Sequence, residues 1–232
     1  MSRSLPKRSN PLILADAAPA YEDLVEQRRL GRTNLSIKPE VVGTCSATKP
    51  ENLGVFEYAF LRAPLPEDLK GSGIFSPNTF GQYPGTYFLM RRSKDGFISA
   101  TGMFKTAFPW AKAEEEKNER EYLKSREYVS QEENAGNIWI SPVIALELAN
   151  EYKIYDWVRA LLDPVEIMPL LSTWNRNILI TPPPKFELPM DEPKSLQKTL
   201  EITALMKATK ITPLPAKTDE IGVKANQEED TL

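Results

Sequence analysis

Histidine is missing from all 232 residues. That removes the side chain whose ordinary pKa lies nearest neutrality, and with it any Ser–His or Cys–His nucleophilic pair and any His-ligated metal site. The only cysteine is Cys45, so no disulfide can form within the chain, which suits a reducing compartment. No apolar run approaches the roughly 18 residues needed to span a bilayer. The start, Met1-Ser2-Arg3-Ser4-Leu5-Pro6-Lys7-Arg8, has no apolar stretch of the kind a secretory signal requires. Net charge is −3 with a pI near 5.3, so there is no global basic excess of the sort that drives nucleic-acid affinity, and any phosphate contact has to come from a local patch. Glycine-rich phosphate cradles are also absent, since Gly71-Ser72-Gly73 has neither the length nor the context of one. No carboxylate pair sits in an apolar setting that would tune it for acid–base work. These absences argue against an enzyme, a metal or a cofactor, and leave a cytosolic or nuclear binding protein. Lys7-Arg8 and Arg28-Arg29 are short basic hints of nuclear import.

What is present is a 41% hydrophobic content and 20 prolines that cluster outside the middle of the chain. The expectation is one packed α+β domain with extended flanks. Residues 1–32 read as a flexible N-terminal arm, disordered to residue 20, with a short charged helix over 21–31. Residues 33–164 read as the domain, with its core at 86–163 and an extended arm over 33–53. Residues 165–232 read as a proline-rich, largely disordered tail with a weak helix at 192–208. The segment 54–63 alternates aromatics at Phe56, Tyr58 and Phe60, which fits a strand that either covers a sheet edge or offers one to a partner. Pro64 and Pro66 stop it.

From residue 86 the pattern sharpens. Tyr87-Phe88-Leu89-Met90-Arg91-Arg92 is strand-like, Ser93-Lys94-Asp95-Gly96 is a hairpin turn, and Phe97-Ile98-Ser99-Ala100 returns. Thr101 is placed to cap a helix through Phe108, which Pro109 ends. Residues 112–126 form a charged helix expected to be largely exposed, and Asn137-Ile138-Trp139-Ile140 a short strand. Ser141-Pro142 opens a helix through 152. Ile154, Trp157, Val158, Leu161 and Leu162 carry helical spacing through 162. The expected sheet is therefore 55–61, 86–92, 97–100 and 137–140, packed against helices at 101–108, 142–152 and 154–162, with Trp139 and Trp157 in the core.

The run from Tyr87 to Lys105, with its basic strand, Asp-Gly turn, second strand and Ser-Ala-Thr entry to a helix, resembles the opening of the fungal APSES/KilA-N DNA-binding domain. Gly136-Asn137-Ile138-Trp139-Ile140-Ser141-Pro142 resembles that family's later strand-to-helix element, and Ala145-Leu146-Glu147-Leu148-Ala149-Asn150-Glu151-Tyr152 its following helix. Within the family the resemblance is closest to the branch concerned with bouquet formation. The features that carry this are Ser2-Arg3-Ser4-Leu5 with Asn10-Pro11-Leu12, the strand Phe88-Leu89-Met90-Arg91, the block Ser99 to Pro109 followed by an acidic helix, and the Ala160-Leu161-Leu162 ending. The resemblance implies a winged-helix-like domain. For that branch it also implies a nuclear protein at the inner nuclear membrane that joins telomeres to the envelope by binding a peptide of a telomeric or envelope protein, with auxiliary DNA contact and no small-molecule substrate.

Candidate DNA-contacting residues are Arg91, Arg92 and Lys94 on the hairpin, and Lys105, Lys112, Lys117, Arg120 and Lys124 on or near the charged helix, because guanidinium and ammonium groups grip phosphate. The competing reading makes the hairpin a solvated edge and the helix a self-paired one, through pairs such as Glu116–Arg120 and Glu121–Lys124. Phe56, Tyr58 and Trp110 are the candidate partner-binding aromatics, with core packing as the alternative for Trp110. Acids outnumber bases on the charged helix, so a major-groove recognition helix there would meet phosphate repulsion. A sequence-specific APSES-type transcription factor is the alternative function. Thr181-Pro182-Pro183-Pro184 favours polyproline II and reads as a linker or as a peptide ligand.

Overall fold

The computed structural model describes residues 3–35, 54–127, 129–130, 133, 136–167 and 179–187. Within them lies an α+β arrangement built on a five-stranded antiparallel sheet. In chain order the elements are α1 (Tyr21–Glu26), β1 (Arg29–Leu35), β2 (Gly54–Pro64), β3 (Thr86–Arg92), β4 (Ile98–Ser99), α2 (Ala100–Ala107), α3 (Ala113–Lys124), β5 (Trp139–Ile140), α4 (Pro142–Glu151) and α5 (Tyr155–Leu162). The strands lie side by side in sequence order. Alternation along them separates two faces. Leu30, Ala59, Leu61, Ala63 and Leu89 are buried on one. On the other an aromatic ladder runs from Phe56 through Tyr58 and Phe60 to Phe88, at centroid separations of 5.4, 5.9 and 5.4 Å. Trp139 and Trp157 are buried, as the sequence implies.

Three expectations are corrected. The helix over 21–31 stops at Glu26, and Arg29–Leu35 is a strand paired with Gly54–Phe60 of β2. A helix with so thin an apolar face has little to bury, whereas a ladder along β2 satisfies the backbone groups that β2 would otherwise leave on an edge. Only residues 33–35 of the expected arm 33–53 are described, and they belong to this strand.

Residues 3–20 pack on the domain rather than hang from it. Asn10 is fully buried and donates through Nδ2 to the carbonyls of Pro64 and Thr106 at 2.9 and 3.0 Å, while Ile13 is buried and its carbonyl accepts from Trp157 Nε1 at 3.1 Å. Prolines suppressed any periodic signal here. One short 3-10 turn at Pro11–Ile13, capped by Asn10, is enough to plug the core.

Ser99, and not Thr101, caps α2, its Oγ accepting from Gly102 N–H at 2.8 Å. The helix begins two residues earlier than the hydroxyl of Thr101 suggested, which leaves Thr101 Oγ1 to accept from Ile138 N–H at 3.1 Å and pin β5 beside α2. As expected, α3 is largely exposed, and only Glu119 and Leu123 of it are buried. The possible helix at 192–208 falls outside the described residues.

Gly102 shows how closely α2 approaches β3. A Cβ there would stand 2.7 Å from the Phe88 carbonyl oxygen and 3.1 Å from Ser99 Oγ. Gly102→Ala is therefore expected to destabilise by about 2 kcal/mol despite alanine's better helix propensity, because the overlap is with backbone that cannot rotate away. Urea denaturation measures it, and an unchanged midpoint would contradict so close a packing.

Candidate nucleic-acid and partner interface

The hairpin joining β3 to β4 turns on Asp95-Gly96, where Gly96 has the positive φ of 75° that this turn requires. Its two arginines point to opposite sides of the sheet. Arg91, on the Ala59–Leu89 face, is only 4% exposed; its Nε donates to Gly96 O at 3.2 Å and its Nη2 to Pro184 O at 2.5 Å. Burial, with the charge of Arg28 adding to it, lowers its pKa to about 10. Arg92 is buried on the other face and forks onto Asp95, Nε to Oδ1 at 2.7 Å and Nη2 to Oδ2 at 2.6 Å, with Nη2 also reaching Ser130 Oγ at 2.9 Å. Its guanidinium lies 5.3 Å from the Trp139 ring centroid. Neither head is presented to solvent, so both arginines are structural ties here rather than an open phosphate grip. Lys94, at the tip, is exposed.

Most of the basic residues on or near the charged helix are also engaged. Lys105 meets Glu116 at 3.2 Å. Arg120 and Lys124 share Glu133, at 2.8 and 2.5 Å, and Arg120 also donates to Gly136 O at 3.0 Å. Lys112 bonds the Gly71 carbonyl. Lys117 is exposed. The pairs drawn from helical spacing, Glu116–Arg120 and Glu121–Lys124, give way to partners outside the helix, because Lys105 of α2 and Glu133 of the following loop approach α3 from the sides. Glu116, Lys117, Arg120, Glu121, Lys124 and Gly136 line a shallow concavity of mixed charge along α3.

Among the aromatic candidates, Phe56 and Tyr58 are half-buried members of the sheet ladder, and Phe56 also meets Trp139 at 5.5 Å. Tyr58 hydroxyl lies 3.1 Å from Thr33 Oγ1 on β1. Trp110 donates to Asp68 O at 3.1 Å and stacks under the Arg8 guanidinium, 3.3 Å away. Trp110 thus joins the N-terminal segment to the loop after β2.

Several groups had no signal in the sequence. Arg28 has a fully buried side chain that donates to the carbonyls of Val25, Asp163 and Val165 at 2.9, 2.5 and 3.0 Å, drawing α1 onto the end of α5. Glu119 receives Arg3 and Tyr152 inside the domain. Isolated charges of this kind look like surface charges until their partners are known, and those partners lie far off in the chain.

Set beside known proteins, residues 81–168 match the KilA-N domain family. A stretch of 77 residues, 33% of this chain, is 39% identical to Bouquet formation protein 4 of Schizosaccharomyces pombe, of which it spans 18%. The crystal structure of the N-terminal domain of Bqt4 from S. pombe aligns with 68% of this chain and 97% of that one, at 26% identity and a TM-score of 0.48. Over residues 81–168 the chain thus resembles the KilA-N domain, and over about a third of its length it is similar to Bouquet formation protein 4.

Proposed function

We propose that the chain is a non-enzymatic nuclear tethering module that helps attach telomeres to the nuclear envelope in bouquet formation, by binding a peptide of a telomeric or envelope protein, with DNA contact auxiliary. Kinship with Bouquet formation protein 4 supports the bouquet-related role. The observation that favours protein over DNA as the main ligand is the engagement of the basic residues. Arg91 and Arg92 are buried ties, and Lys105, Arg120 and Lys124 pair with Glu116 and Glu133. A domain built to read base edges needs cations that reach phosphate and groove. Lys94, Lys112, Lys117 and Lys124 are exposed on the hairpin and the charged helix, where they supply the auxiliary phosphate contact.

The test is fluorescence anisotropy of the full chain with random and telomere-repeat duplexes at low and physiological salt. Binding is expected to be weak, blind to sequence and lost with salt, with a slope of about −0.9 for each of the few phosphates contacted. Tight binding with a preference for one site that survives competitor DNA would overturn this in favour of the sequence-specific transcription factor. The tethering half is checked in cells, where deletion of the gene should detach telomeres from the envelope in meiotic prophase. Unchanged telomere positions would refute it.

A further inference from the structure

The segment Leu179–Glu187 lies against the same hairpin, and its contacts have the form of a bound peptide. Among the described residues three polar bonds hold it, all through its main chain. Thr181 N–H donates to Glu57 Oε2 at 3.2 Å, Ser93 Oγ donates to Thr181 O at 2.5 Å, and Arg91 Nη2 donates to Pro184 O at 2.5 Å. Pro183 is buried between these bonds, while Thr181, Pro182 and Pro184 stay exposed. Pro184 Cδ comes within 3.6 Å of where a Cβ on Gly96 would stand, so the glycine turn also supplies the close approach.

The spacing has a physical reason. A polyproline II helix repeats every three residues and makes no internal hydrogen bonds, so its carbonyls are unpaired strong acceptors and those three apart point the same way. Thr181 and Pro184 are three apart, and Ser93 and Arg91 capture their two carbonyls. The receiving groups are fixed before the segment arrives. Arg91 is held by Gly96 O, and Ser93 N–H is tied to Glu57 O at 2.9 Å. Such preorganisation on both sides, a stiff ligand and a set surface, is what makes proline-rich recognition effective.

We propose that Glu57, Arg91, Ser93 and Gly96 form a recognition surface for a polyproline II peptide of the Thr-Pro-Pro-Pro type, and that residues 179–187 of the same chain occupy it. The inference goes beyond the tethering reading and does not depend on it. Because the occupant is tethered to the domain by the intervening residues 168–178, it competes at an effective concentration on the order of millimolar, and the surface opens to a peptide in trans when that occupant is displaced.

The experiment uses the full chain and a fluorescent peptide of sequence 179–187. In the wild type the Thr181 amide should exchange with deuterium slowly and the peptide should bind weakly. Pro183→Asp places a charge in the buried position, so the Thr181 amide should exchange at the free-peptide rate while the added peptide binds at least about tenfold more tightly. A peptide carrying the same Pro183→Asp change should not bind. Ser93→Ala in the Pro183→Asp chain should weaken the peptide several-fold by removing one of its donors. Replacing residues 181–184 by glycine and serine provides the same opened surface should Pro183→Asp fold poorly. Equal peptide affinity for the wild-type and opened chains, or affinity indifferent to Ser93→Ala, overturns the proposal. Neither result bears on the DNA or telomere measurements, so the two readings fail separately.

Discussion

A fragment cut to residues 81–168, the stretch that matches the KilA-N family, is expected to show no cooperative unfolding transition, whereas the chain from Met1 to Met190 keeps one. The fragment retains β3, β4, β5 and α2 to α5 but loses β1 and β2. In the intact chain β2 pairs with the whole of β3, from Tyr58 opposite Arg92 to Pro64 opposite Thr86. Without it, β3 would expose a full row of peptide groups on one side and keep only its short pairing with β4 on the other. The core would suffer more. Ile13, Leu24, Leu30, Phe60, Leu61, Leu65 and Leu69 are all buried and all lie before residue 81. At about 1.5–3 kcal/mol for each large apolar side chain, their removal takes away more than 10 kcal/mol, comparable to the roughly 5–15 kcal/mol by which a domain is stable at all. Circular dichroism melts and urea titrations of the two fragments decide the matter. A cooperative transition of 81–168 at a near-native midpoint would mean that the N-terminal layer is an accessory and not part of the fold.

The same layer marks where the sequence ceased to be legible. Strands with alternating burial, a hairpin with Asp95-Gly96 at its tip, and α5 with apolar residues at helical spacing all announce themselves locally, because the physics that forms them acts between neighbours along the chain. The N-terminal segment is different. Asn10 is fixed by carbonyls of Pro64 and Thr106, and Ile13 by the indole of Trp157. None of these partners is near in sequence, so the segment reads as a polar, proline-broken arm. The hairpin arginines fail for a related reason. A basic pair on an edge strand looks like a phosphate grip, and only the positions of Asp95, Gly96 and Pro184 show that both guanidiniums are already engaged. The Thr181–Pro184 stretch carried the reverse message. Its polyproline character was plain, but its docking place depends on Glu57 and Ser93, far up the chain.

Glu119→Gln is expected to cost about 3 kcal/mol, equivalent to a fall in melting temperature of roughly 10 °C. Glu119 lies on the acidic face of α3, yet is only 4% exposed. Its two oxygens receive a fork from Arg3, Nε to Oε2 at 2.8 Å and Nη2 to Oε1 at 2.7 Å, and Oε1 also accepts from the Tyr152 hydroxyl. The Arg3 guanidinium lies 4.3 Å from the Tyr122 ring centroid and also pairs with Glu151. One carboxylate therefore joins the N-terminus, α3 and the end of α4. The amide nearly preserves its shape but removes the charge that compensates Arg3, and a buried ion pair broken on one side leaves the other charge uncompensated. The triple change Arg3→Met, Glu119→Leu and Tyr152→Phe, which removes the three central members together and leaves only the exposed Glu151, should recover most of the loss, since apolar replacement of a buried network is often neutral. Alkali gives an independent reading. Burial first, and then the charge and hydrogen bond of Glu119, raise the Tyr152 pKa well above its ordinary 10. A raised folded-state pKa contributes stability that is complete below the unfolded value and is lost as pH climbs through the folded one. Urea midpoints of the wild type should thus decline as pH rises above 10, and Tyr152→Phe should decline less steeply. Equal slopes for the two proteins, or a Glu119→Gln chain as stable as the wild type, would show that the carboxylate is solvated and that the N-terminus is not anchored through it.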